Sequence, residues 1–345
     1  MHIEMDTKLD YSDVLLRPKR STLESRNDVE LKRKFTFPHS KRVIDVVPIM
    51  ASNMDGVGTR SMAEALAEQD MLTSLVKSLT FEDLNIFYSQ SRKGGATTQL
   101  SETLTLTVGL QDDLKKVEDF KHKYPIICID TPNGYMEKFV DYVKQVRSIC
   151  GVNNIIIAGN VVTADQTQEL ILNGADIVKV GIGPGSVCTT RIVTGIGYPQ
   201  LSAVIDCADA AHGLNGHIIA DGGCTCPGDI VKAFAAGADF VMLGGMLAGH
   251  KESELTVING ELKFYGMSSR EANEIHAGGL RSYRASEGRS VTVPYKGEVA
   301  DTLQEILGGI RSACTYVGAK KLKDLPKCAT FVRVNNQYNR TFVGE

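Results

Sequence analysis

Short apolar runs recur along this chain at 48–52, 72–77, 104–110, 126–130, 155–161, 177–182, 217–220 and 240–243. Each is short and almost uniformly apolar, the pattern of a strand buried on both faces. Between them, apolar residues fall at spacings of three and four. Those stretches predict helices over 59–69, 81–91, 112–123, 136–149, 164–172, 200–211 and 227–236. Strands that alternate with helices predict a parallel sheet, and eight such units predict an α/β fold of the closed (β/α)8 TIM barrel type. An open doubly wound sheet is the alternative, but no Gly-x-Gly-x-x-Gly follows a first strand. An internal echo supports the barrel. Asn173-Gly174-Ala175-Asp176-Ile177-Val178-Lys179-Val180-Gly181 matches Ala236-Gly237-Ala238-Asp239-Phe240-Val241-Met242-Leu243-Gly244 as helix end, turn, strand and glycine loop.

The rhythm is missing at both ends. Residues 1–47 are polar and predict irregular chain around one compact segment, Asp13-Val14-Leu15-Leu16-Arg17-Pro18. From about 250 to 295 the pattern breaks into an excursion after the eighth strand, longer than an ordinary loop and rich in Gly, Ser and charge. It offers little apolar area for folding alone, which predicts a lid ordered by ligand. A last amphipathic helix follows over 301–314. No linker rich in Pro, Ser or Gly divides the 345 residues, which predicts one domain over 1–345.

Charge narrows the partners. Thirty-eight Lys and Arg against 41 Asp and Glu leave a formal charge of −3, which supports neither a nucleic-acid nor a membrane partner. No apolar run reaches the roughly 18–20 residues that span a bilayer. Met1 to Asp10 is polar and acidic, unlike a signal peptide. Eight cysteines in such a chain are expected as reduced thiols in a cytoplasmic protein. Cys224 and Cys226 lack a second Cys/His pair at metal-ligand spacing, so no metal is expected on them.

The chemistry gathers at strand ends. Gly181-Ile182-Gly183-Pro184-Gly185-Ser186 follows the sixth run and can neither extend a strand nor start a helix. Its backbone N–H groups can cradle an anion such as phosphate. Cys188, Thr189, Thr190 and Arg191 come next, and a thiol beside a guanidinium and N–H dipoles is a candidate nucleophile. Asn53 after the first run, Lys77 after the second, Asp130-Thr131-Pro132 after the fourth, Asn160 after the fifth, Asp221-Gly222-Gly223 after the seventh and Gly244-Gly245 after the eighth share that rim. Singly, the glycines suit turns and the aspartates helix caps. Together, at the catalytic end of a barrel, they predict a nucleotide site.

Four stretches carry a resemblance over nearly the whole chain, in order: Gly183 to Arg191, Ala220-Asp221-Gly222-Gly223, Gly237 to Gly245, and Gly308 to Ala319. They resemble the IMP dehydrogenase/GMP reductase family. Tyr283-Arg284-Ala285-Ser286-Glu287-Gly288 is similar to its reductase branch, whereas the dehydrogenases typically carry Tyr-Arg-Gly-Met-Gly-Ser and an inserted pair of CBS modules.

The resemblance implies reductive deamination of GMP by NADPH to IMP, ammonia and NADP⁺, a step of purine salvage. Cys188 would form a thioimidate at C2 of the base, with Thr190 and Glu287 supplying the proton to the leaving amine and Lys77 near the cofactor. It implies nucleotide contacts from Ser186, Asp221, Gly222, Gly223, Gly244, Gly245, Met267, Ser268, Arg284, Ser286 and Gly288. Asp221 would take the ribose hydroxyls. NADPH would meet Asp130, Thr131, Pro132, Ile182 and Gly183. Ser25, Arg26, Ser312, Ala313, Cys314 and Thr315 would come from a neighbouring subunit of a homotetramer. It also implies K⁺ on the loop of Gly183, Gly185, Cys188 and Arg191. Val76 and Pro132 stand where many relatives have His and Ala.

Two other readings compete. An IMP dehydrogenase without CBS modules would need the family's flap arginine as base, and no Arg-Tyr flap signature is found. A non-catalytic nucleotide sensor would be expected to lose Cys188, Thr190 or Glu287, and all three are present.

Overall fold

The computed structural model describes residues 3–93, 98–255 and 261–335. Eight parallel strands close into a barrel: β1 (Ile49–Ala51), β2 (Leu72–Ser74), β3 (Leu104–Val108), β4 (Ile126–Asp130), β5 (Ile155–Val161), β6 (Ile177–Val180), β7 (His217–Asp221) and β8 (Phe240–Leu243). Each pairs with the next, and β8 closes on β1 through Val241 opposite Ile49 and Leu243 opposite Ala51. Helices lie between them, and a long helix, Val299–Val317, follows β8 and the excursion. This is the predicted alternation, altered at the ends. The run at 72–77 pairs only as far as Ser74, which leaves Lys77 in the loop above. The stretch at 112–123 is helical only over Leu114–Phe120, because the Asp113 side chain accepts from Lys115 N and sets the start.

Alternate strand residues build two cores. Met50, Leu72, Ile126, Cys128, Ile155, Ile157, Ile177, Ile219, Phe240 and Met242 cluster inside the barrel. Ile127, Ile129, Ile156, Val178, Ile218 and Val241 face outward and pack with Leu66, Phe139, Val143, Leu170, Leu201 and Phe234.

The N-terminal segment departs from the irregular chain expected of it. Arg33–Thr36 and Val43–Val46 form an antiparallel hairpin whose Phe35, Ile44 and Val46 join the inner cluster and plug the barrel floor. Phe35 stacks on Phe240 at 4.3 Å between ring centroids. Val14–Leu16 pairs antiparallel with Phe331–Arg333. These strands are three or four residues long, too short for a period to stand out.

The excursion also differs from expectation. β9 (Glu261–Tyr265) and β10 (Ser290–Pro294) form an antiparallel pair, with a helix at Arg270–Ala277 between them. Leu262, Phe264, Tyr265 and Ala272 are buried, so the segment carries an apolar anchor of its own. The Tyr265 hydroxyl donates to Asp55 Oδ2 at 2.8 Å, and His276 Nε2 lies 2.5 Å from the same oxygen, which ties the excursion to the loop after β1. No helix among the described residues is long and apolar enough to cross a membrane.

Candidate active site

A cavity of about 240 Å³ opens at the C-terminal ends of the strands. Asn53 and Met54 reach it from β1, Lys77 from β2, Asp130, Thr131 and Pro132 from β4, and Asn160 from β5. β6 and its loop supply Lys179, Ile182, Gly183, Gly185, Cys188 and Thr190; β7 supplies Asp221 and Gly222; the excursion supplies Gly266, Met267, Ser268 and Glu287. Half of the predicted site residues thus come from separate loops to one hollow.

The cysteine loop owes its path to glycine at Gly181, where a Cβ would stand 2.1 Å from the Asp221 carbonyl oxygen. Cys188 N donates to Gly185 O at 3.1 Å, and a helical turn, Thr190–Thr194, follows. The excursion is stitched to this loop by backbone. Cys188 bridges to Gly288, Thr189 N donates to Glu287 O at 3.0 Å, and Arg289 N donates to Val187 O at 3.0 Å. That pairing sets the reactive groups in a row. The Cys188 thiol donates to Thr190 Oγ1 at 3.3 Å, and Thr190 Oγ1 donates to Glu287 Oε2 at 2.9 Å. A thiol proton therefore has a path through a hydroxyl to a carboxylate.

Arg191 does not act as expected on the thiol. Its guanidinium donates to Asp10 Oδ2 at 3.0 Å and to Tyr198 O at 2.5 Å, and its stem packs under Gly183 and Gly197. The guanidinium fastens the loop to the N-terminal segment instead.

The glycines after β7 and β8 form a cradle. A Cβ at Gly245 would stand 2.9 Å from Ser186 Oγ, and one at Gly222 would stand 3.3 Å from Gly185 N. Gly244 lies under Met54 and Ser52. Gly223 faces the other way, against Tyr11 and Pro184, into a separate hollow of about 640 Å³ that Arg191 also lines. Ser286 Oγ donates to Gly288 O at 2.9 Å and shapes the turn that carries Glu287. Arg284 lies outside the cavity, beside Arg270, Glu274 and Arg281. Ser25 caps the turn Arg26–Asp28, which packs on the helix holding Ser312, Ala313, Cys314 and Thr315. None of these six residues lines the cavity of their own chain, and Cys314 is buried in its core.

Asp130 and Asp221 do not cap helices. Both face Lys179 Nζ, at 2.7 Å and 3.3 Å, and Asp221 Oδ2 also accepts from Asn160 Nδ2 at 2.8 Å. Burial pushes the Asp130 carboxyl up, but the cations of Lys179 and Lys77 outweigh it and hold it below its ordinary value. Beneath them, burial pushes the Cys128 thiol up to about 12. Lys179 escaped the sequence reading because one lysine in an apolar run looks incidental. Its parity was the available signal: it lies two residues beyond inward-facing Ile177. Lys116 escaped too; it is buried, and its Nζ donates to Lys77 O at 2.9 Å.

Among the described residues no group of three or more His, Cys, Asp or Glu is placed to hold a metal ion. The carbonyls of Gly185 and Arg191 accept from Cys188 N and Gly195 N, and each keeps a second lone pair.

The family model described as "IMP dehydrogenase / GMP reductase domain" matches residues 8–340. A protein named GMP reductase from Serratia proteamaculans (strain 568) is 56% identical over 349 residues, covering 99% of each chain. Another of that name from Vibrio cholerae serotype O1 (strain ATCC 39541 / Classical Ogawa 395 / O395) is 55% identical over 349 residues, again with 99% of each chain covered. A third, from Phytophthora infestans, is 55% identical over 352 residues, covering 99% of this chain and 94% of its own.

Proposed function

The chain belongs to the IMP dehydrogenase/GMP reductase family, and from that premise we propose that it is an NADPH-dependent enzyme converting GMP to IMP and ammonia, as one barrel domain. The row Cys188, Thr190, Glu287 at 3.3 and 2.9 Å carries this reading. The thiol proton passes through Thr190 to Glu287, and the thiolate adds to C2 of the guanine. Glu287 returns the proton through Thr190 to the C2 amine, the C–N bond breaks, and ammonia leaves a purine thioimidate on Cys188. NADPH, when bound, would supply a hydride for C2; Cys188 would then leave as its thiolate, releasing IMP. A thiolate suits both steps because it is a soft nucleophile and a good leaving group. Water must be kept from the thioimidate, and the paired excursion covers that side of the cysteine.

The cradle of Ser186, Gly222, Gly244 and Gly245 suits the phosphate, with N–H donors in place of a basic patch. Asp221 is assigned the ribose, and Met267, Ser268 and Gly288 the base. Lys77, Asp130, Thr131, Pro132 and Ile182 line the part of the cavity left for the cofactor. Ser25, Arg26 and residues 312–315 of a second copy would complete the cofactor site in a homotetramer, which accounts for their distance from the cavity of their own chain. Neutral carbonyl donors at Gly183, Gly185, Cys188 and Arg191 suit a weakly held K⁺ better than a transition metal. We place the enzyme in the cytoplasm, with reduced thiols.

Incubation with GMP plus NADPH, and separately with IMP plus NAD⁺, decides the reading. Loss of the reduced-cofactor absorbance in the first mixture is expected. Its appearance in the second would make the protein a dehydrogenase, and no change in either would make it a binding protein.

A further inference from the structure

Lys179 lies inside the barrel, 2% exposed. Strand alternation points Ile177 and Lys179 inward on β6, Ile126, Cys128 and Asp130 inward on β4, and Ile219 and Asp221 inward on β7. The lumen is therefore apolar in its lower layers and ionic in the uppermost. Nζ lies 2.7 Å from Asp130 Oδ1, 3.3 Å from Asp221 Oδ2 and 3.5 Å from Asn53 Oδ1. β5 makes room for it, since a Cβ at Gly159 would stand 2.5 Å from Lys179 Cβ.

An unpaired ammonium buried there would be costly by several kcal/mol, and so would two facing carboxylates without it. One cation between two anions leaves a cluster of net −1. A carboxylate accepts up to about four hydrogen bonds, so both aspartates keep acceptor capacity toward the cavity they line.

We propose that Lys179 is a positioning residue for both substrates: its ammonium holds the Asp130 and Asp221 carboxylates side by side, so that donors of the cofactor on Asp130 and the ribose of the nucleotide on Asp221 are recognised through one shared buried cation. This rests on the assignment of the cavity to GMP and NADPH. The titratable groups facing Lys179 are Asp130 and Cys128 from β4 and Asp221 from β7, and Lys77 acts on Asp130 from the loop after β2. Burial pushes the lysine down, the two carboxylates more than offset it, and it stays above its ordinary value. Its two ion pairs therefore favour the ammonium form.

The test compares the native protein with Lys179→Met, Lys179→Arg and the double variant Lys179→Met/Asp130→Asn. Dissociation constants for GMP and for NADP⁺ are measured separately by calorimetry, alongside Tm. In Lys179→Met both constants are expected to weaken together, by about ten- to a hundredfold. Their ratio to the native values should also shrink as pH falls, because a shared proton then takes over from the cation. Lys179→Arg keeps the charge and should lose less than Lys179→Met. The double variant restores net −1 with Asp221 charged, so GMP affinity should recover while NADP⁺ affinity stays weak. Unchanged constants with a lowered Tm would make Lys179 purely structural and overturn the proposal, as would weakening toward one ligand alone in Lys179→Met. If Lys179→Met does not fold, the double variant carries the test: equal loss of both ligands, or of neither, overturns it. Failure of the native protein to oxidise NADPH with GMP would instead strike the functional reading, and the two outcomes are read in different assays.

Discussion

The two echoed units, 173–181 and 236–244, share a sequence pattern and differ in chemistry. In both, the aspartate at the start of the strand is buried and ties its strand to the one before. Asp176 accepts from the backbone N–H of Ile156, His39 and Ser40 and pairs with Arg147 at 2.5 Å. Asp239 accepts from Ile218 N and pairs with Arg33 at 3.1 Å and His212 at 2.8 Å. Three residues further on the units part: Lys179 enters the ion cluster, whereas Met242 fills the apolar lumen. Beyond the strands, one loop carries Cys188 and the other is the glycine cradle. The lower end of a barrel strand holds the fold and the upper end does the chemistry, so the same unit can be repeated with a new function at its top.

The largest expected effect falls where the units differ most. Cys188→Ala should lower turnover by at least about a thousandfold, while GMP affinity by calorimetry should stay within a few-fold of native, since the proposed site assigns phosphate, ribose and base to other groups. Hydride transfer surviving in the purified variant would end the thioimidate mechanism.

Glu287→Gln comes next. Glutamine keeps the shape but cannot carry the proton, so GMP reduction should slow by about a hundredfold or more. The reverse partial reaction, in which IMP and NADP⁺ form the covalent intermediate without any amine, should suffer much less. Equal losses in the two assays would return Glu287 to a structural role.

The shared positions should respond alike. Asp176→Asn and Asp239→Asn each break a buried ion pair, with an expected loss of about 3–5 kcal/mol of stability, read by chemical denaturation. GMP affinity of the folded protein should not change. If one variant lost nucleotide affinity and the other did not, the division between lower and upper ends would fail.

The smallest effect sharpens the difference between the two aspartates, since only Asp239 meets imidazole rings, those of His212 and His217. The bond to Asp239 holds the His212 pKa above its ordinary value. Its stabilisation is complete below the unfolded-state pKa and fades as pH rises through the raised one. Burial pushes the Asp239 carboxyl up, but its bonds to His212 and His217 outweigh that and hold it below its ordinary value. Between about pH 6 and 8 the native protein should lose slightly more Tm than His212→Gln does. Parallel curves would show that the contact contributes nothing to folding.

Much of this was legible along the chain because parallel strands buried on both faces leave unbroken apolar runs, and all eight stand out. The Cys188 loop was legible because glycine, proline, thiol and hydroxyls sit together in one stretch. The floor hairpin was not, since Lys34-Phe35-Thr36 buries one residue in three and resembles any polar turn. Arg191 misled because adjacency along the chain says nothing of where a long side chain points; Asp10, far away in sequence, decided that.

The residues by themselves determined the number and order of the barrel units, the candidate nucleophile and the family. Those features depend on local periodicity and on contiguous motifs. Only the tertiary structure decided that Glu287, 97 positions from Thr190, reaches its hydroxyl. It alone set Lys179 between two aspartates and turned Arg191 away from the thiol. Such partners come from strands and loops distant in sequence, and a hydrogen bond depends on distances that only the closed barrel sets.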